Sequence, residues 1–151
     1  MMKKMILLTL ILCLAASTAS AAVFGVRGGL TLSPDQFHVG GHVDLGPVFS
    51  PLRLVPNVEI GFGDDLTIIA INGDVIYDFA ETPWSIGGEL GLNITNFDSD
   101  IPGVDSSSTD FGLSVLGNYR VALSSGKTLL LEAKLGLIDS ADVKLTVGWN
   151  F

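Results

Sequence analysis

Two histidines four residues apart, His38 and His42, and a sparse set of acids and bases in an oily chain are the side chains with chemistry to offer. On a helix, His-x-x-x-His would present both imidazoles to one metal ion. On a strand the same spacing spans about 13 Å, too far for a shared ion. His42 with Asp44 resembles a general base and its orienting carboxylate, yet the sequence places no nucleophilic serine beside them. Asp98, Asp100, Asp105 and Asp110 lie in a Ser-rich stretch that lacks the closing glutamate of a calcium loop, so a solvated loop from Asp98 to Asp110 is expected there. No catalytic residue, cofactor or metal is therefore expected.

The elements that carry these residues alternate apolar and polar side chains with period two, the mark of strands that have one oily and one wet face. Eight such segments follow one another. The first is Val23 to Leu32, with Phe24, Val26, Leu30 and Leu32 opposite Arg27 and Thr31. The second, Phe37 to Leu45, sets Phe37, Val39 and Val43 against His38, His42 and Asp44. The third, Leu54 to Phe62, opposes Val58, Ile60 and Phe62 to Asn57 and Glu59. In the fourth, Leu66 to Phe79, Ile69, Ile71, Val75 and Tyr77 oppose Asn72, Asp74 and Asp78, with Ile68 and Ile76 as exceptions on the polar side. The fifth opens at Trp84 and carries Glu89 on its polar face. The sixth, Phe111 to Leu123, carries Asn118 and Arg120 there, and the seventh, Thr128 to Leu137, carries Glu132 and Lys134. The eighth, Ala141 to Phe151, opposes Val143, Leu145, Val147, Trp149 and Phe151 to Asp142, Lys144 and Thr146. Turn residues punctuate the series: Ser33-Pro34-Asp35, Gly46-Pro47, Gly63-Asp64-Asp65, Glu81-Thr82-Pro83 and Ser124-Ser125-Gly126.

Before the strands comes an address. Lys3 and Lys4, an apolar run from Met5 to Leu14 and the small-x-small Ala19-Ser20-Ala21 read as a secretory signal peptide over residues 1–21, which leaves a single domain over 22–151. The run is shorter than the roughly 20 residues of a spanning helix. Cys13 lies within it, preceded by Leu12 where a lipoprotein signal wants a small residue, so neither lipidation nor a disulfide is expected. Loss of Lys3 and Lys4 would move the net charge from −8 to −10, which leaves no electrostatic case for binding nucleic acid.

Alternation alone does not separate a membrane barrel from a soluble one; the distribution of charge and bulk does. One face of all eight segments is nearly pure Leu, Ile, Val and aromatic. The other is small and polar and carries Arg27, Asp44, Glu59, Asp74, Asp78, Glu89, Arg120, Glu132, Lys134, Asp142 and Lys144. An eight-stranded barrel is just filled by its interior side chains, so the bulky face must point outward and the small polar face inward. The expected fold is all-β, an eight-stranded antiparallel up-and-down transmembrane β-barrel. Trp84, Phe79, Phe111, Trp149, Tyr77 and Phe151 then fall near strand ends, as an interfacial aromatic girdle would.

The last strand, with its terminal Phe151 and alternating Val143, Leu145, Val147 and Trp149, resembles the C-terminal strand of bacterial outer-membrane β-barrels, which serves as their assembly signal. The chain from 22 onward is similar to the small eight-stranded outer-membrane barrels, the group of OmpX and the transmembrane domain of OmpA. That resemblance implies a monomer in the outer membrane of a diderm bacterium. Its partners would be membrane lipid, lipopolysaccharide and the barrel-assembly machinery. Both termini would be periplasmic, and the links after the odd-numbered strands would face outward. Function is then expected to be structural or a very narrow porin-like passage. The lumen would be plugged by a network of Arg27, Arg120, Lys134 and Lys144 with Glu59, Glu89, Asp74 and Glu132, which His38 and His42 join and could make pH-sensitive. Two alternatives stand beside it: a lipid A-modifying enzyme of the acyltransferase or deacylase type, and a soluble periplasmic barrel that binds an apolar ligand.

Overall fold

The computed structural model describes residues 22–97 and 106–151; the segment read as a signal peptide and the acids Asp98, Asp100 and Asp105 lie outside the described residues. Each alternating segment forms a strand: β1 (Val23–Leu32), β2 (Gln36–Asp44), β3 (Pro47–Phe49), β4 (Leu52–Phe62), β5 (Leu66–Asp78), β6 (Trp84–Phe97), β7 (Ser106–Ala122), β8 (Thr128–Ile138) and β9 (Val143–Asn150). Every pairing is antiparallel. Neighbours in sequence pair from β4 to β9, β1 pairs with both β2 and β9, and β2 pairs with β4, which closes a ring of eight strands. The three-residue β3 is an addition that pairs with the start of β4 at one edge of the ring.

Three strands begin two or more residues away from where they were expected. Leu52 rather than Leu54 begins β4, because Leu52 and Arg53 pair with Tyr77 and Ile76 of β5. Ser106 begins β7, so Ser106 to Asp110, expected in a loop, pair with Phe97 back to Asn93 of β6; a partner strand in register with all five residues overrides the turn-like composition of Ser and Asp. Val143 begins β9, which leaves Asp142 before the strand and exposed. A bulge in β8 shifts the register between Leu113 opposite Ile138 and Ser114 opposite Gly136. Leu137 and Ile138 are consequently both on the outside.

Packing is inverted relative to a soluble protein. Among the described residues seventeen polar or charged residues are buried against only five apolar ones, while thirty large hydrophobic residues are exposed, most of them on the outer face. Water would penalise so much contiguous apolar surface. The strands also bend tightly enough that a Cβ on the inward-facing Gly40 would meet the Val58 carbonyl and the Glu59 side chain, so no larger residue fits there.

Aromatic residues divide between the two ends of the barrel. At the end that holds both termini, Trp84 packs edge-on to Tyr119 with ring centroids 4.7 Å apart, Tyr77 packs on Phe79 at 5.4 Å, and the Lys127 ammonium lies 5.7 Å from the centre of the Trp149 ring. At the opposite end, which holds the β1–β2, β4–β5, β6–β7 and β8–β9 links, the exposed aromatics among the described residues are the phenylalanines Phe37, Phe62, Phe97 and Phe111.

Candidate functional site

Inward alternation delivers one or two polar side chains per strand to mid-height, and ring closure brings them together. Arg27 of β1 stands at the centre. Its Nε lies 3.2 Å from Glu59 of β4, its Nη1 lies 3.5 Å from Asp74 of β5, and its Nη2 donates to Glu132 of β8. Lys134 of β8 donates to Glu89 of β6 and lies 3.4 Å from Asp74 and 3.3 Å from Glu132. Lys144 of β9 donates to Glu59. Three cations thus face four carboxylates, and the side chains of Arg27, Glu59, Asp74, Glu132 and Lys134 are each only 1% exposed.

Neutral groups complete this cluster. Asn57 donates to Asp74 at 3.1 Å and accepts from Asn72 at 3.0 Å. Asn118 of β7, with its amide assigned to satisfy its neighbours, donates to Glu132 Oε2 at 3.0 Å. His38 of β2 bridges Thr31 and Thr146, each 3.1 Å from a ring nitrogen. All eight strands of the ring therefore contribute to one buried polar layer. Such a layer is held by its pairings, since an isolated charge at that depth would cost several kcal/mol, roughly 3–5 when one partner is removed.

A second, shallower ion cluster sits at the terminal end. Arg53 of β4 takes Asp78 of β5 with two nitrogens, Nε at 2.6 Å and Nη2 at 3.2 Å, and also donates to Asp44 of β2. Arg120 of β7 donates to Asp78. Water reaches this cluster: the Arg120 side chain is 31% exposed. Between the two clusters lies an apolar knot of Val55, Ile76 and Leu116.

Sequence reasoning brought most of these residues to the lumen but not to their partners. Arg27, Glu59, Asp74, Glu89, Glu132, Lys134 and Lys144 meet as one cluster, whereas Arg120, expected among them, pairs with Asp78 at the rim. Asp142 takes no part. His38 and His42 bond separate partners, His42 reaching Asn150 at 2.6 Å. Asp44 accepts from Arg53 and from the Gly46 amide at 2.9 Å, so the pairing of His42 with Asp44 as base and orienter does not form. Arg53 was missed. Its signal is its phase: it stands two residues before Val55, four before Asn57 and six before Glu59, all buried inward, but Pro51 and Gly46-Pro47 made the stretch read as a link.

The space inside is unequal. At the loop end a cavity of about 460 Å³ reaches down to Glu59, Glu89, Lys134 and Lys144. At the terminal end, among Arg27, His42, Arg53, Ile76 and Glu132, the void amounts to about 10 Å³, at most the room of one water.

A closed antiparallel ring of eight strands, apolar outside and ion-paired inside, is the fold of the small outer-membrane β-barrels. Solved structures agree. The chain is similar to Neisserial surface protein A (NspA), with a TM-score of 0.64 at 19% identity over 85% of this chain and 94% of that one. It is similar also to the N-terminal β-barrel domain of Pseudomonas aeruginosa OprF, with a TM-score of 0.54 at 11% identity over 86% and 96%. The Yersinia pestis outer membrane protein Ail in a phospholipid bilayer nanodisc gives 0.52 at 12% identity over 86% and 99%. At such identities the likeness is one of fold. No family model matches the chain, and no curated protein matches it in sequence.

Proposed function

We propose that this chain is a bacterial outer-membrane β-barrel protein whose lumen is plugged midway, and that it acts as a structural, non-enzymatic barrel rather than as an open pore. The observation that carries this reading is the layer of Arg27, Asp74, Glu132 and Lys134, side chains 1% exposed and drawn from three different strands, above a void no larger than a water. A hydrated ion has no way past it without breaking several charge pairs in a medium of low dielectric. The outer-membrane assignment rests on the apolar exterior and on the fold. The end carrying Trp84, Tyr119 and Trp149 is then the periplasmic one, where indole and phenol groups meet phospholipid headgroups. Leu145 and Val147, with Phe151 just past the strand's end, are exposed on the strand that closes the ring with β1, and Val143 and Trp149 share their phase, which supports reading the set as an assembly signal. Lipid, lipopolysaccharide and the barrel-assembly machinery are the partners this reading implies, with a monomer as the unit.

The test is conductance of the folded protein in a planar bilayer at neutral and mildly acidic pH, with folding verified by a heat-modifiable shift on a gel. Silence at both pH values is expected. Reproducible steps would make the ion layer a gate of a narrow passage, and steps appearing only in acid would implicate His38 or His42. Lipid A mass profiles with and without the protein are expected to be identical; a changed profile would make the chain a lipid A-modifying enzyme.

A further inference from the structure

The loop-end cavity is lined in a way that plugging the barrel does not require. Alternation puts polar residues inward along most of the ring, but β5 puts Leu66, Ile68 and Ala70 there, and Phe97, the register partner of Leu66 on β6, extends the same apolar strip to the lip. Around and below this strip stand planar amides and hydroxyls: Gln36, Asn72, Asn93, Thr95 and Ser108. Gln36 is 8% exposed, and its Nε2 is a buried donor with no hydrogen-bond partner among the described residues. A buried amide donor left unpaired is costly, and a turn of the Gln36 side chain toward an acceptor in the cavity it lines would relieve that cost.

Charge narrows the chemistry of that acceptor. The two cations that line the cavity, Lys134 and Lys144, are committed to Glu89 and Glu59, so neither is free for a phosphate or carboxylate. Asp110 at the lip accepts from Ser108 at 3.0 Å and would repel an anion. An acyl chain would strand the amides. A sugar ring satisfies both walls: its axial C–H face is apolar and packs on an aromatic or aliphatic strip, while its vicinal hydroxyls match the paired donor and acceptor of a planar amide. The volume, about 460 Å³, lies within the usual range for small-molecule sites and suits one or two rings.

We propose that the cavity between β5–β6 and Gln36 binds a neutral saccharide of one or two rings, with Ile68 and Phe97 against its face and Gln36 and Asn93 on its hydroxyls. The cavity ends on Lys134 and Lys144 whether or not the barrel conducts, so this assignment does not depend on the plug. The sugar has two possible sources, the carbohydrate of lipopolysaccharide or a free saccharide.

The experiment is methyl NMR of the folded protein in phosphocholine micelles, with labelled isoleucine, titrated with maltose. A saturable shift of Ile68 with the outward-facing Ile71 unmoved is expected, weakened about tenfold by Phe97→Ala and by Gln36→Leu. Phe97 lies at the rim, so its variant is expected to keep the heat-modifiable gel shift of a folded barrel. An Ile68 signal that stays still up to the solubility of maltose would overturn the assignment, as would a shift of equal affinity in both folded variants or a response to decanoate in place of maltose. A second arm compares maltose with a neutral, phosphate-free disaccharide of the lipopolysaccharide outer core: tighter binding of the core sugar assigns the source to the cell surface, and equal or weaker binding assigns it to a free saccharide.

Discussion

The two halves of this barrel share one circumference, one set of strands and one rule of alternation, yet a cavity of about 460 Å³ opens in the loop half, whereas the void among Arg27, His42, Arg53, Ile76 and Glu132 in the terminal half holds about 10 Å³. Side-chain volume accounts for the difference. Inward positions of the loop half include the small Thr31, Gly61, Ala70 and Ser114 beside a few larger residues such as Ile68, whereas those of the terminal half hold Arg53, Val55, Ile76, Leu116 and Leu130. Strand number sets the width of a small barrel, but the residues that face its axis decide whether that width is occupied.

Asp74 sits where the halves meet, shared between Arg27 and Lys134. Arg27→Ala is expected to have the largest effect on stability, about 3–5 kcal/mol, because Glu59, Asp74 and Glu132 lose the cation they share at full burial; unfolding in urea from micelles measures it. A loss below about 1 kcal/mol would mean that the central layer is not what joins the halves. Outside the barrel, Leu131→Arg places a charge on the face taken to meet lipid and is expected to cost about 2–4 kcal/mol and to lower the yield of heat-modifiable protein. Full tolerance of that change would invert the assignment of faces on which the comparison of interiors depends.

Ile76→Ala sharpens the comparison by giving the terminal half some of the emptiness of the loop half. About 2 kcal/mol of stability is expected to go with it, while planar-bilayer recordings stay silent as long as the ion layer is intact. Channel activity in this variant would transfer the seal from the ion layer to the apolar knot. The smallest effect is expected at the rim, where Arg120→Ala breaks a partly exposed pair and should cost about 0.5–1 kcal/mol, most of it lost in high salt.

Some of this was legible before folding and some was not. The faces of β1, β2 and β8 could be read residue by residue, since Arg27, His38, His42, Glu132 and Lys134 alternate with apolar neighbours and all are buried inward. Ile68 and Ile76 stood out as exceptions, and each marks an apolar feature, the cavity wall in one case and the knot in the other. Arg53 and the first residues of β7 were not legible. Proline near the former and the Ser and Asp run around the latter carry local turn signals, and only their partners across the sheet, Ile76 for Arg53 and Phe97 for Ser106, overrule them.

Alternation is a local property, because successive Cβ atoms point to opposite sides of any extended chain; from sequence alone it therefore determined which side chains face in, which face out, and that the two sets differ in bulk enough to turn the protein inside out. Partnership is not local. Arg27 reaches Glu132 across 105 residues of chain and Lys144 reaches Glu59 across 85, and these meetings exist only because β1 closes on β9 and β2 on β4 in one particular register. The tertiary structure alone decided which ions pair, where Arg120 and Arg53 go, and at what height the lumen closes, since each depends on the stagger between strands that are distant in sequence.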